Sequence, residues 1–444
     1  MGYSNKYGRR PQEYASKATH QEIIKDHSVQ EFLKKCILPA AKTDIEDYSE
    51  QTIAIDTPIT NPIKHIVAID GGYTDVVVRA EFPSSRIAFF QFGALIFEVS
   101  DLDEIADSRF IFPEQMAKMK NIQRLKLALP TKGITAYGAP TLTHSIRNSL
   151  YEFFLLEPAD GALMASLEWL VFEEFSNAPS KSWNLASCPF CHGSNVVIAR
   201  EMLRSDGTFD CTHCGQGLFL TDVFRLHEAV DDELGATGIL GYVTTLIEQL
   251  VVVHLIKVIL ETRPQLLKEM LFIKDGPLAF FGQTANLHKP MRQLIRWLEA
   301  NHDIYLVGAE KSGAFVEHAA AIADKMRPGT ALLLDNNYIY RHIIPGVPDD
   351  RRPYGSTTYY GSKIIMKTSE SRMYVLTIPT KESLVAPKRS DFIHIDIISD
   401  NLRRLRCDMY DSALVPIALV NHLVSLADHP STKLIEKFAK AAVK

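Results

Sequence analysis

Four of the six cysteines, Cys188, Cys191, Cys211 and Cys214, form two C-x2-C pairs separated by 19 residues. Two such knuckles can aim four thiolates at one tetrahedral metal, which ties a short stretch of chain to a single geometry. The intervening SNVVIAREMLRSDGTFD has the β-rich runs and turn residues of a hairpin, so residues 183–222 read as a zinc ribbon inserted into a larger fold. Four thiolates close the coordination sphere, so this zinc is structural and contributes folding energy without an open catalytic position. His192 and His213 beside the ligands are surplus and are expected at the surface. Cys36 and Cys407 remain as free thiols, which fits a reducing cytoplasm.

The 444 residues are 46% hydrophobic and 23% charged, enough apolar material for a sizeable core, which excludes a disordered, collagenous or disulfide-stapled chain. A net charge of −5 argues against coating nucleic acid non-specifically, although a local basic groove is compatible with it. The opening MGYSNKYGRRPQEY has no apolar secretory core, and a cytoplasmic location is expected. The most apolar stretch, Thr237–Leu260, is interrupted by Glu248, His254 and Lys257; it reads as a buried core helix, and no membrane association is expected.

Residues 1–60 are polar and punctuated, with an amphipathic piece at Val29–Ala41, and read as an arm or docking segment. Three apolar runs follow: IKHIVAID ending at Asp70, DVVVRA after it, and RIAFFQFGALIFEV from Arg86 to Val99. They are expected to be neighbouring strands of one sheet. Residues 143–177 carry helical spacing. Beyond the ribbon and the long helix, strand Leu271–Lys274, helix Leu287–Ala300, strand Ile304–Val307, helix Ala314–Met326 and strand Thr330–Leu334 alternate. That alternation predicts an α/β core with some parallel pairing, divided by the ribbon into residues 61–182 and 223–444. Residues 354–379 read as a hairpin turning near Thr368–Ser371, and helices near 391–406, 411–427 and 432–442 close the chain.

Asp70 in VAIDGG and Asp275 in FIKDGPL each end an apolar strand before a glycine, where open α/β sheets bind ligands. On adjacent strands they suit a hard divalent cation, although Asp-Gly pairs also serve as plain turn formers. Glu248 lies inside an apolar helix, where a carboxylate is costly unless paired or bound to metal. Its plain alternative is an exposed polar stripe with Thr244 and Gln249. Together the three carboxylates suggest a divalent-metal site for phosphodiester hydrolysis.

In chain order, Asp70-Gly, the helix glutamate ahead of FIKDGPLAFFG, VGAEKSGAF (307–315) and PIALVNH (416–422) resemble the NurA nucleases. The likeness is greatest to a bacterial branch with DGPLA, EKSG and YYG segments and covers roughly residues 60–430 apart from the ribbon. It implies an RNase H-like mixed sheet flanked by helices, a homodimer, and DNA cleavage, exo- or endonucleolytic, with Mn²⁺ or Mg²⁺. It also implies a hexameric, DNA-translocating HerA-type ATPase as partner, in DNA end processing or anti-phage defence.

By position, Asp70 and Asp275 match the family's metal-binding aspartates, and Glu248 its helix glutamate, with Glu261 as the alternative. His422 matches a histidine that holds metal or the scissile phosphate. The family's tyrosine ahead of the proline is replaced by Val415 before Pro416, and Tyr410 upstream is the candidate substitute. Lys311 is a candidate for neutralising phosphate charge, the alternative being a solvated lysine. Arg341, Arg351, Arg352, Lys388, Arg389, Arg403, Arg404 and Arg406 could line a DNA path. Tyr354, Tyr359 and Tyr360 could stack on unpaired bases or simply form a hairpin face. Two other readings are an actin-like ATPase using DGGYT (70–74) as a phosphate loop, and a non-catalytic zinc-ribbon adaptor.

Overall fold

A computed structural model describes residues 19–36, 52–79, 81–101, 120–157, 161–369, 372–407, 413–426 and 430–443. The chain divides into a small unit, Met1–Ile45, and a large one, Glu46–Lys444. In the small unit, helices α1 (Thr19–Lys25) and α2 (His27–Lys35) are described. Asp26 caps α2 by accepting from the Val29 N–H at 3.0 Å, which satisfies one of its free first-turn donors. The expected amphipathic piece is described as far as Cys36; residues 37–41 of it lie outside the described residues.

The large unit is built on one nine-stranded sheet. Strands β1 (Thr52–Ala54), β2 (His65–Val77), β3 (Arg86–Glu98) and β4 (Lys120–Lys132) are followed by helices α3 (Leu142–Leu155) and α4 (Leu163–Val171). The ribbon supplies two small hairpins, β5 (Ser182–Ser187) with β6 (Ser194–Ala199) and β7 (Thr208–Asp210) with β8 (Gly217–Phe219). Helix α5 (Leu240–Thr262), β9 (Met270–Asp275), helix α6 (His288–Asn301), β10 (Tyr305–Glu310), helix α7 (Ala314–Ile322), β11 (Thr330–Leu333) and helix α8 (Asn336–His342) alternate. The hairpin β12 (Gly361–Ser369) and β13 (Arg372–Pro379) precedes helices α9 (Ile395–Arg404), α10 (Val415–Val424) and α11 (Ser431–Ala442). The sheet order is β1-β11-β12-β13-β10-β9-β2-β3-β4. Among the described residues, only β2/β9 and β9/β10 pair in parallel. This is the mixed sheet flanked by helices, with an inserted four-cysteine ribbon, that the sequence led us to expect. β1 lies within the stretch read as an arm.

The central strands are buried on both faces, and their period of two splits the core into two layers. Val67, Ile69, Phe272 and Leu306 join one apolar cluster with α3, α4, α5 and α6. Ile66, Ala68, Leu271, Ile273 and Val307 join the other, with α9 and α10.

Two sequence expectations change here. The run ending at Asp70 and the DVVVRA run are not neighbouring strands; they are one strand, β2, paired with β3 over its whole length from His65↔Glu98 to Val77↔Arg86. β9, by contrast, pairs with β2 only as far as Ile69. Asp70 is therefore mid-strand, at the level where its parallel neighbour stops, and neither Asp70-Gly71 nor Gly72 forms a turn. That geometry also leaves no backbone loop at DGGYT to wrap a phosphate, so the actin-like reading loses its motif.

Helix α5 is apolar all round, which suits a helix enclosed on every side. The segment Thr237–Thr262 is long and apolar enough to cross a membrane by length and composition, yet most of it is covered by the protein's own sheet and helices. Its buried polar side chains have partners: Glu248 pairs with Lys274, Gln249 donates to the Pro277 and Ala279 carbonyls at 3.2 Å each, and His254 meets Ser166 at 2.8 Å. Burial without such partners would cost several kcal/mol per charged group. The exposed-stripe reading of Glu248 is thereby excluded, since Glu248 is 5% exposed.

Candidate functional site

Strands β9 and β10 end at the level where β2 runs on past them, and this brings Asp70, Asp275 and Lys311 together. Asp275 closes β9, Lys311 follows β10, and Asp70 is the first β2 residue beyond the parallel pairing. Lys311 Nζ stands 2.8 Å from Asp275 Oδ2 and 3.9 Å from Asp70 Oδ2. Asp70 is 2% exposed; its Oδ1 accepts the Gly71 N–H at 2.8 Å, while Oδ2 is buried with no hydrogen-bond partner. Burial, then the charges of Asp275 and Glu248, push the Asp70 carboxyl up to about 8, with Lys311 opposing them.

Glu248 reaches this cluster from α5, which lies on the other side of the sheet, across Gly71. A Cβ at Gly71 would stand 2.6 Å from Phe92 Cδ1 and 3.2 Å from Glu248 Oε1, so the carboxylate comes close only because that position has no side chain. Glu248 Oε2 accepts from Lys274 Nζ at 2.6 Å, and the same ammonium donates to the Asp275 carbonyl. Burial raises the Glu248 carboxyl above its ordinary range, and Lys274 pulls against that rise. Gln249, next in sequence, holds the turn after Asp275 through the Pro277 and Ala279 carbonyls, and Tyr360 donates its hydroxyl to the Gln249 side chain. Glu261 instead pairs with Lys257 at 2.6 Å, with its own side chain largely exposed.

The donor set fits a hard divalent cation: two aspartates from adjacent strands, one with a buried oxygen lacking a partner, and a third carboxylate close behind. The three carboxylates are not gathered into a closed cage. Among the described residues, only the four cysteines form a group of three or more metal-ligand side chains whose donor atoms all lie within 4.8 Å.

The other sequence candidates are placed less centrally. Helix α10 crosses β2 and β3 just beyond Asp70, with the Val424 carbonyl 2.7 Å from where a Gly72 Cβ would stand. His422 lies on the exposed side of that helix, with no hydrogen bond or ion pair to Asp70, Glu248 or Asp275. Tyr410 lies outside the described residues. Of the tyrosines expected to stack on bases, Tyr360 is fully buried and Tyr359 nearly so, while Tyr354 is half-buried and packs against Tyr359. Lys363, buried beneath the Phe315 and Tyr359 rings, pairs with Glu310, and burial lowers its ammonium below the usual lysine range. Arg389 pairs with Asp56 and Asp396, and Arg403 and Arg404 with Asp400, so these three are already countered. Sequence reasoning assigns Lys274 and Gly71 no part in the site and offers Gln249 only as a member of an exposed stripe, whereas Gln249 is fully buried. A polar residue inside each of the apolar runs LFIK and LIEQL was the available signal.

In the ribbon, the Cys188 and Cys214 sulfurs are 3.9 Å apart. Zinc–thiolate bonds of about 2.3 Å in a tetrahedron require S···S edges of about 3.8 Å. The Phe190 and His213 N–H groups donate to Cys188 Sγ and Cys211 Sγ at 3.4 Å, the contacts that steady thiolates at a knuckle. The four sulfurs thus fit zinc, and His192 and His213 are exposed, as expected. The ribbon's own apolar residues, Leu185, Val196, Ile198, Phe209 and Leu218, belong to the main core cluster, so it is fused to the fold rather than appended.

Fold and site together define an α/β protein with an acidic, lysine-countered cluster at the edge of a mixed sheet and a separate four-cysteine centre. No family model and no curated protein matches the chain. Among solved structures it is similar to the NurA nuclease from Sulfolobus solfataricus, at 11% identity over 96% of this chain and 94% of that one, with a TM-score of 0.31. It is also similar to NurA solved with manganese, at 10% identity over 96% and 99% with a TM-score of 0.31, and to a further NurA structure at 10% identity over 96% and 98% with a TM-score of 0.33.

Proposed function

We propose that this protein is a divalent-metal-dependent DNA nuclease whose cation is held by Asp70 and Asp275, with Glu248 completing the acidic cluster. The observation that carries the reading is Asp70 Oδ2, an acidic oxygen sealed from water without a hydrogen-bond donor and aimed at a second carboxylate. A fold tolerates such an atom when a ligand completes it. When bound, Mn²⁺ or Mg²⁺ supplies an activated water and neutralises charge on the phosphodiester. Asp70 and Asp275 orient that cation at the sheet edge. Lys311, about one-third exposed, can turn from Asp275 toward a phosphate oxygen and offset its growing negative charge.

The DNA substrate, a homodimer and a HerA-type translocating ATPase as partner are supported by the motif resemblance; the motor would feed DNA to a site with modest affinity of its own. His422 and a tyrosine near 410 are carried by that resemblance alone. The test is cleavage of linear and single-stranded DNA in Mn²⁺, Mg²⁺ or EDTA, beside folded Asp70→Asn and Asp275→Asn variants. Metal-dependent cleavage lost in both supports the nuclease. Binding of DNA without cleavage by any form, with and without the candidate ATPase, would leave the zinc-ribbon adaptor instead.

A further inference from the structure

Lys274 is an unusual residue for the end of a core strand. It is 1% exposed, and its ammonium is enclosed between Glu248 Oε2 at 2.6 Å and the Asp275 carbonyl. It therefore stands beside the acidic cluster, between the helix carboxylate and the strand that carries Asp275. A second divalent cation bridging Glu248 and Asp275 would have to enter next to a positive charge that is almost wholly buried. The two charges would repel at contact distance in a poorly screened environment. Asp70 differs: its free oxygen faces Asp275, and among the described residues the cation paired with both is Lys311, which solvent reaches.

Resting on the nuclease reading above, we propose that the cluster binds one divalent cation, between Asp70 and Asp275, and that the Lys274 ammonium fills the place beside Glu248 where a second would sit. Lys274 is then a positioning residue. It holds Glu248 by charge pairing, keeps that carboxylate out of the inner coordination shell, and sets the metal stoichiometry of the site.

The test is the number of Mn²⁺ ions bound per zinc-loaded, full-length chain, read by equilibrium dialysis and by the loss of the free Mn²⁺ electron paramagnetic resonance signal. Wild type should bind one, and Asp70→Asn should weaken that binding by about tenfold or more. Glu248→Gln should retain the single ion, and Lys274→Gln, with its ammonium gone, should admit a second. Two Mn²⁺ ions on the wild-type chain, or loss of the ion in a folded Glu248→Gln variant, would overturn the single-cation assignment while leaving the nuclease reading intact. No Mn²⁺ bound at all would overturn both. The wild-type count needs no variant, so a Lys274 substitution that fails to fold does not remove the test.

Discussion

Arg147 and Asp222 meet as a flat, two-pronged pair, Nε on Oδ1 and Nη2 on Oδ2 at 2.7 Å each, with both side chains almost wholly shielded from water. The guanidinium carbon lies 4.9 Å from the Phe190 ring centre and 5.1 Å from that of Phe219, and the Phe219 N–H also donates to Asp222. This pair keys the zinc ribbon to helix α3. Removing one partner leaves a buried charge unmatched, so Arg147→Ala should destabilise the protein by about 3–5 kcal/mol. Arg147→Met combined with Asp222→Leu should cost much less, and denaturant midpoints of the single and double variants check the difference.

Because the ribbon's apolar residues belong to the main core, zinc loss should not stay local. Cys191→Ser should abolish stoichiometric zinc and lower the thermal midpoint of the large unit, whereas a freely hinged ribbon would leave that midpoint unchanged. Metal analysis and calorimetry on the same sample separate the two cases.

Gly71 is where space matters most. A methyl group added there would press on Phe92 and crowd Glu248 Oε1, and overpacking of this kind costs about 1–3 kcal/mol. Gly71→Ala should thus lose stability and cleavage together, with zinc content unchanged.

The pH dependence of the protein without added Mn²⁺ follows from Asp70. Its folded value, about 8, lies above the ordinary carboxyl value of 3.8, so between these limits the folded state binds a proton that the unfolded state lacks. The slope of stability against pH is then negative: this contribution is complete below about pH 4 and lost as pH rises through 8. The thermal midpoint of wild type should fall relative to Asp70→Asn across the window set by those two values. A constant or growing wild-type advantage would contradict the buried carboxyl.

Lys311 opposes that upward shift. Lys311→Gln should therefore move the acidic limb of the cleavage profile to higher pH and slow turnover by about a hundredfold. Unchanged limbs would make Lys311 a mere surface lysine.

Much of the architecture was legible in local pattern. Short apolar runs marked β9 and β10, helical spacing marked α3, and the apolar stretch Thr237–Leu260, interrupted by Glu248, His254 and Lys257, announced α5 as a core helix. The reading failed at Asp70-Gly71-Gly72, where the same dipeptide that commonly turns a chain lies in an extended strand. Thirteen residue pairs with β3 hold it there, a long-range constraint invisible in a short window. Tyr359 and Tyr360 likewise carried no sign of their burial, because their partners Phe281 and Gln249 lie far away in the chain.

The sequence by itself marked the four clustered cysteines, the two strand aspartates and the helix glutamate, since each is announced by residues within a few positions of it. Only the tertiary structure decided which charges meet. Lys274 faces Glu248 because a parallel strand and a helix pack at that level, Lys311 reaches both aspartates because β9 and β10 end beside Asp70 of the longer β2, and His422 points to solvent because α10 lays its other side on β2 and β3. Spacing along a chain encodes periodicity and local coordination, whereas the pairing of buried charges depends on which surfaces the folded core brings into contact.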